Sequence, residues 1–360
     1  MDVGIIGFAR SGKTTLFNAL TGSEAEVGGY SAAGAQPNVA VVEVPDPRLD
    51  RLVEFWDAKK IVRAAITFID VVGVPPGESG VLSEDLIQAV VNCDALVAVV
   101  PGFEQDGIKP DASAGAESIQ GELLLFDLAR IETRIERIEK SIGRQKSDVK
   151  ATMQRELDTL GICKDALENE NPLRTVEFDA EQDKLLRAFQ LLTLKPLILV
   201  INLAEGDIAQ ASEVEAAVST GGLPAGTAVV ACCAESEMEI AQIEEAAERA
   251  EFLADYGIAE PAIDRLIRTT FETLGLLTFF TAGPKEVHAW TLHQGESVLR
   301  AAGTIHSDLE RGFIRAEIIN GDLLIELGSE AEAKSQGKLR VEGKEYTVAS
   351  GDVIEIRFSV

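Results

Sequence analysis

The apolar run Met1-Asp2-Val3-Gly4-Ile5-Ile6 leads directly into Gly7-Phe8-Ala9-Arg10-Ser11-Gly12-Lys13-Thr14. The pattern G-x-x-x-x-G-K-[ST], placed after a strand and before a helix, is a phosphate-binding loop. The helix that should follow is present as Thr15-Leu16-Phe17-Asn18-Ala19-Leu20. Glycine at 7 and 12 lets the backbone wrap closely, and the freed N–H groups with the helix N-terminus attract an anion. Lys13 is placed to reach the β- and γ-phosphates of a nucleotide, and the Thr14 hydroxyl to ligate Mg²⁺. Ala9, Arg10, Ser11, Gly12 and Thr15 complete the candidate contact segment. A loop of this kind demands a buried strand beneath it, which points to an α/β fold.

Strand-like runs recur at Val3–Phe8, Val39–Val44, Ala65–Val72, Ala95–Val100, Pro196–Leu203 and Ala228–Cys233. Helix-like stretches separate them, and that alternation predicts a mostly parallel sheet covered on both faces. The pattern breaks between about 121 and 190. There Leu128, Ile131, Ile135, Ile138 and Ile142 step by three and four, and Met153, Leu157, Leu160 and Leu167 suggest a returning helix. The reading is an inserted antiparallel hairpin. Its flanking charges, Arg130, Arg134, Arg137 and Arg144 against Glu132, Glu136 and Glu139, are expected to pair across the helices. A phosphate-contacting stripe is the sharper alternative. After about 276, short alternating segments punctuated by Gly295, Gly321, Gly343 and Gly351 predict a small β-rich domain. The expected division is therefore 1–120 with 191–275 as nucleotide domain, 121–190 as helical insertion, and 276–360 as C-terminal domain.

Two further motifs suit the loop. Asp70 ends a predicted strand in Asp70-Val71-Val72-Gly73, where an Asp can hold Mg²⁺ through water and the Gly73 N–H can meet a γ-phosphate. Asn202-Leu203-Ala204-Glu205 follows another strand, where GTPases carry N-K-x-D. Glu205 is one methylene longer than Asp, so the bidentate fit to guanine should fail. Such a contact is worth roughly 1–3 kcal/mol by analogy with base readout. Adenine thereby becomes competitive. Asn202 is expected at the base, with the alternative that it only caps a turn.

Together, Gly7–Thr14, Asp70–Gly73 and Asn202–Glu205 resemble the Obg-like ATPases of the YchF type, within the P-loop GTPase superclass. So do Pro37-Asn38-Val39, Val44-Pro45-Asp46-Pro47-Arg48-Leu49, Phe279–Val287, Ala302-Gly303-Thr304-Ile305-His306, Glu310–Glu317 and Gly351-Asp352-Val353. The resemblance covers nearly the whole chain. It implies a P-loop domain with helical insertion, a ubiquitin-like β-grasp TGS module, and ATP hydrolysis linked to ribosomes or translation. It also implies a purine pocket from Asn202, Leu203, Glu205, Cys233 and Ala234. The chain departs from that pattern in three places. Ala9-Arg10 stand where the family carries Pro-Asn, which puts potassium stimulation in doubt and leaves Arg10 as a solvated side chain or a positive charge for the site. Gly34 stands at the switch I Thr, and Cys233-Ala234 replaces Ser-Ala. Val74 follows Gly73 where many GTPases carry a water-orienting Gln; turnover on the order of 10⁻⁴ to 10⁻² s⁻¹ is the consequence. The catalytic expectation thus rests on Lys13 and Gly73. Alternatives are a GTPase, or a nucleotide-binding adaptor with negligible turnover.

Bulk properties bound the partners. Sixty acidic against 33 basic residues give a net charge of −27, so nucleic-acid contact must be a local basic patch. Arg311, Arg315, Lys338, Arg340 and Lys344 are candidates, with solvated strand faces as the alternative. No apolar run approaches a membrane span, and Cys93, Cys163, Cys232 and Cys233 lack metal-ligand spacing. A cytoplasmic, monomeric protein that meets ATP (or GTP) and the ribosome, through ribosomal RNA or protein, is expected.

Overall fold

A computed structural model of the protein describes residues 1–22, 37–70, 84–105, 107, 109–243 and 245–359. The chain forms two compact units. One comprises Met1–Val41 with Thr67–Leu266, the other Val42–Ile66 with Ile267–Val360. This differs from the boundaries expected above, because residues 42–66 fold with the C-terminal part and 121–190 do not separate as a unit.

The chain begins with β1 (Asp2–Gly7), α1 (Lys13–Thr21), β2 (Asn38–Glu43), α2 (Pro47–Trp56), β3 (Ile61–Val62), β4 (Ala65–Asp70), α3 (Glu84–Val90) and β5 (Ala95–Gly102). Next come α4 (Ala112–Ile142), α5 (Ser147–Glu168), α6 (Ala180–Leu186), β6 (Leu197–Leu203), α7 (Ala211–Thr220), β7 (Thr227–Cys232), α8 (Ala234–Gln242), α9 (Ala246–Asp255) and α10 (Ala262–Thr273). The nucleotide-type sheet has strand order β2-β4-β1-β5-β6-β7. β1 pairs in parallel with β4 and β5, β5 with β6, and β6 with β7. β5 and β6 read as unbroken apolar runs because both of their faces are covered. Ile6, Leu96, Ala98, Val100, Leu199 and Ile201 form a core with Ile119 and Leu123 of α4.

The hairpin is α4 and α5. Leu128, Ile131, Ile135, Ile138, Ile142, Met153, Leu157, Leu160 and Leu167 share one apolar cluster, as the heptad spacing predicts. α4 starts nine residues before the expected insertion boundary, and its first turns pack on the sheet. Two of the seven flanking charges pair across the hairpin: Arg134 lies 2.6 Å from Glu156, and Glu132 2.8 Å from Lys164, whereas Glu136 pairs within α4 with Lys140 at 2.9 Å. Asp127, fully buried on α4, receives the N–H groups of Leu192 (2.9 Å) and Thr193 (2.7 Å) and the Thr193 hydroxyl (2.6 Å). Burial pushes this carboxyl upward in pKa, and those bonds oppose the push. They fix the approach to β6, and β6 carries Asn202.

The second unit adds β8 (Leu276–Ala282), β9 (Val287–His293), α11 (Val298–Ile305), α12 (Ser307–Arg311), β10 (Phe313–Asn320), α13 (Gly321–Leu327), α14 (Glu330–Ser335), β11 (Arg340–Glu342) and β12 (Asp352–Phe358). Its sheet order is β11-β10-β12-β8-β9-β3. β8 and β9 form an antiparallel hairpin, and β12 lies parallel to β8 in the centre. Val298 and Ala301 of α11 pack on Leu277, Phe279, Ile318 and Ile354, which is the β-grasp arrangement. β3 was not foreseen; it pairs in parallel with β9, Ile61 opposite Val287.

Candidate functional site

β1 delivers the phosphate loop, and two glycines make its path possible. Gly7 has φ 143°, and a Cβ there would stand 2.3 Å from the Val99 carbonyl oxygen. Gly12 has φ 93°, and a Cβ would fall 2.1 Å from Asn202 Nδ2. α1 starts at Lys13, immediately after this left-handed residue. The N-terminus of α1 therefore faces the hollow of the loop, as an anion site requires.

Lys13 is 5% exposed, and its ammonium donates to the carbonyls of Gly7 (3.0 Å) and Phe8 (2.6 Å). Two of its three N–H groups are thereby used, and one remains for a ligand. Burial pulls the Lys13 pKa down to about 8, against the opposing pull of Asp70. Thr14 donates its hydroxyl to Asp70 Oδ2 at 3.1 Å, and Asn38 Nδ2 stands 3.5 Å from the same oxygen. Asp70 is fully buried, and its Oδ1 has no hydrogen-bond partner. Burial pushes the Asp70 carboxyl upward in pKa, while the Thr14 and Asn38 bonds and Lys13 lower it. A hydroxyl beside a carboxylate with one unengaged buried oxygen is a hard oxygen donor set, and that chemistry fits Mg²⁺. Among the described residues no cluster of three or more His, Cys, Asp or Glu forms a self-sufficient metal cage. Mg²⁺ bound by few protein groups needs none.

Asn202 does something the sequence did not suggest. It is buried at the end of β6; its Nδ2 donates to the Ser11 carbonyl at 2.9 Å, and its Oδ1 accepts the Ala234 N–H at 2.9 Å. One side chain thus latches the phosphate loop to the first turn of α8. The Ala234 N–H, expected at the base, is engaged by that latch. Cys233 is buried at the N-cap of α8, and Leu203 is buried beside Asn202. Glu205 is exposed on a short 3₁₀ turn, Glu205–Gln210, and accepts the Tyr256 hydroxyl.

Ser11, Gly12, Lys13, Thr14, Asp70, Asn202 and Ala234 are therefore linked by contacts in one locus. Ala9 and Arg10 are exposed on the loop, Arg10 at φ 60°, with its carbonyl accepting from Gln105 Nε2 at 2.9 Å. Thr15 is half-buried on α1. Gly73, with Val74 and the Gly28–Gln36 stretch, lies outside the described residues. Sequence reasoning missed Asn38, Gln105 and Tyr256; of these only Asn38, in the Pro37-Asn38-Val39 block, carried a signal. In the C-terminal unit Arg311 pairs with Asp308, Arg315 stands 3.8 Å from Glu317, and Arg340 donates to the Tyr346 hydroxyl at 2.8 Å. These three arginines are exposed and each has an acid nearby, Asp352 standing 3.7 Å from Arg340. All four cysteines are buried free thiols. Among the described residues no helix is long and apolar enough to cross a membrane.

Comparison with known proteins agrees with this geometry. A family model described as 50S ribosome-binding GTPase matches residues 2–126. The YchF GTPase C-terminal model, described as a protein of unknown function, matches residues 276–359. The chain is 42% identical to the ribosome-binding ATPase YchF of Bacillus subtilis, over the full length of both. It is 37% identical to the protein of that name from Escherichia coli O157:H7, over 99% of each. It is 33% identical to Obg-like ATPase 1 of Caenorhabditis elegans, over its whole length and 92% of the relative. The solved structure of the Schizosaccharomyces pombe YchF GTPase superposes with TM-score 0.84 at 26% identity, covering 99% of this chain and 97% of that one. With the phosphate loop, the Thr14–Asp70 pair and the β-grasp unit all in place, the chain belongs to the YchF family of Obg-like ATPases.

Proposed function

We propose that this chain is a slow, Mg²⁺-dependent ATPase that converts ATP to ADP and phosphate and serves as a ribosome-associated nucleotide switch. The observation that carries the reading is the Lys13–Thr14–Asp70 cluster beneath a glycine-shaped loop. Lys13 supplies a positive N–H to the β- and γ-phosphates, and the backbone N–H groups at the start of α1 hold the same anion. Thr14 and Asp70 would hold the ion. Bound with the nucleotide, the ion offsets phosphate charge. Asn202 keeps loop and α8 in register, and Leu203, Glu205, Cys233 and Ala234 form the purine end. By the pattern of the family, Gly73, which lies outside the described residues, would offer its N–H to the γ-phosphate. Val74 has no group to polarise water, which accounts for slow turnover.

The bacterial relatives, named ribosome-binding ATPases, support a ribosomal partner, and a ribosomal partner in turn supports a cytoplasmic place of work. A net charge of −27 confines any RNA contact to a local surface. Calorimetric titration of the purified protein with ATP and with GTP, each with Mg²⁺, tests the reading, together with cosedimentation with ribosomes. Tighter uptake of ATP is expected; preference for GTP, or no uptake of ATP at millimolar concentration, overturns it. GTP hydrolysis is the second reading, favoured by the carboxylate retained at 205.

A further inference from the structure

Glu205 does not stand alone at the purine end. Its Oε1 accepts the hydroxyl of Tyr256. Tyr256 is delivered by a fixed helix end: it is the C-cap of α9, and Gly257 follows in a left-handed conformation with φ 68°. The Gly257 N–H reaches the Ala254 carbonyl at 3.0 Å, and the Ile258 N–H reaches the Leu253 carbonyl at 2.9 Å. These paired bonds form a Schellman motif, which sets the direction of the chain after the helix. Phe252, one turn earlier, lies with its ring centroid 5.0 Å from that of Tyr256. Tyr256, Phe252, Cys233, Ser236 and Ile208 line a cavity of about 100 Å³. Tyr256 thus shares a cavity wall with Cys233, the N-cap of α8.

A carboxylate recognises guanine by accepting two parallel N–H bonds, one on each oxygen, from the ring N1–H and the exocyclic amine. Adenine offers only its exocyclic amine, and its N1 is an acceptor. We propose that Tyr256 is a specificity-determining residue of the purine end: its hydroxyl engages and turns the Glu205 carboxylate, so that the pair of oxygens a guanine edge needs is not presented. One outward oxygen remains, which suffices for the adenine amine. The length of Glu205 alone is then not what excludes guanine. The inference rests on the reading that this pocket takes ATP with its base beside Asn202 and Glu205. The hydrogen bond to Glu205 also raises the Tyr256 pKa.

The test is competition between ATP and GTP for the full-length protein with Mg²⁺, in the parent, Tyr256→Phe, Glu205→Asp and the double variant. Binding of neither nucleotide by the parent refutes the underlying reading before any substitution is considered. Tyr256→Phe is expected to move the ratio of the two dissociation constants about tenfold toward GTP. Glu205→Asp, which draws the carboxylate away from the hydroxyl, is expected to move it the same way. The double variant should go no further than Glu205→Asp alone, as two members of one interaction require. A ratio within twofold of the parent in Tyr256→Phe, a parallel weakening of both nucleotides, or additive shifts in the double variant would overturn the proposal. Melting temperatures of all four proteins separate these outcomes from loss of fold. Should Tyr256→Phe not fold, unchanged discrimination in Glu205→Asp alone overturns it.

Discussion

The two ends of the pocket are built on different plans. The phosphate cradle is made from neighbours in the chain: Gly7 to Thr14 lie within eight residues, and Lys13 is held by carbonyls five and six residues before it, with Asp70 reaching in from β4. The proposed purine end draws on side chains that reach far. Asn202 joins Ser11, 191 residues away, and Tyr256 joins Glu205, 51 residues away. A backbone cradle is generic and binds any phosphate tail. On the reading proposed above, discrimination between bases falls to side-chain pairs that can be exchanged singly.

The largest expected effect breaks the phosphate end. Lys13→Ala should lower single-turnover hydrolysis by 10²–10³-fold, the usual range for loss of one preorganised charge-stabilising donor. The fold should persist, because Lys13 is a buried cation whose charged form burial disfavours. Asp70→Asn comes next. It removes the charge that faces the ion, and should raise the Mg²⁺ concentration needed for half-maximal ATP binding by about 10–100-fold. Asn202→Ala addresses the junction of the two ends. It leaves the Ser11 carbonyl and the Ala234 N–H without their partner, so denaturant unfolding should register a loss of about 1–3 kcal/mol. A silent Asn202→Ala would mean that the ends are not coupled through this latch.

A change of pH sharpens the contrast without mutation. Free Lys13 loses its proton near pH 8, and the phosphate tail needs it protonated. ATP affinity should therefore fall above about pH 8, by up to tenfold per unit. Stability moves the other way. The folded pKa is depressed from the ordinary 10.5, so between about 8 and 10.5 the unfolded chain holds more protons, and the Lys13 contribution rises with pH. Titrations at pH 7 to 9.5 beside melting curves check both signs. The smallest effect belongs outside the pocket: the exposed Arg134–Glu156 pair should contribute under about 1 kcal/mol, with ATP affinity unchanged in Arg134→Ala.

What could be read in advance follows the same division. β1, the loop, Asp70 and the hairpin seam were legible because spacing within a few residues fixes strand, turn and helix. Asn202 was found as a motif residue, but its two partners come from β1's loop and from α8, and no local pattern encodes either. Tyr256 carried no signal, since a tyrosine at a helix end is ordinary until Glu205 is seen beside it. The anchor at Asp127 was hidden for a like reason: a lone acid in a charged helix reads as solvated, whereas it is fully buried against Leu192 and Thr193. β3 has two residues, too few for any periodicity, and owes its existence to β9.

Val42–Ile66 folds with residues that follow it by more than 200 positions. Arg48 donates to the Ser350 hydroxyl at 3.0 Å, and Lys60 salt-bridges Glu286. Leu49 and Leu52 of α2 are fully buried, so they are the apolar side chains stranded if the tail is lost. No single scission of the polypeptide can release either half intact. A truncation near residue 266 would leave α2 unsheltered and prone to aggregate, and a fragment starting there would lack its edge strand. Ribosomal synthesis faces the same constraint, for α2 emerges early and must wait for the last ninety residues before it can settle.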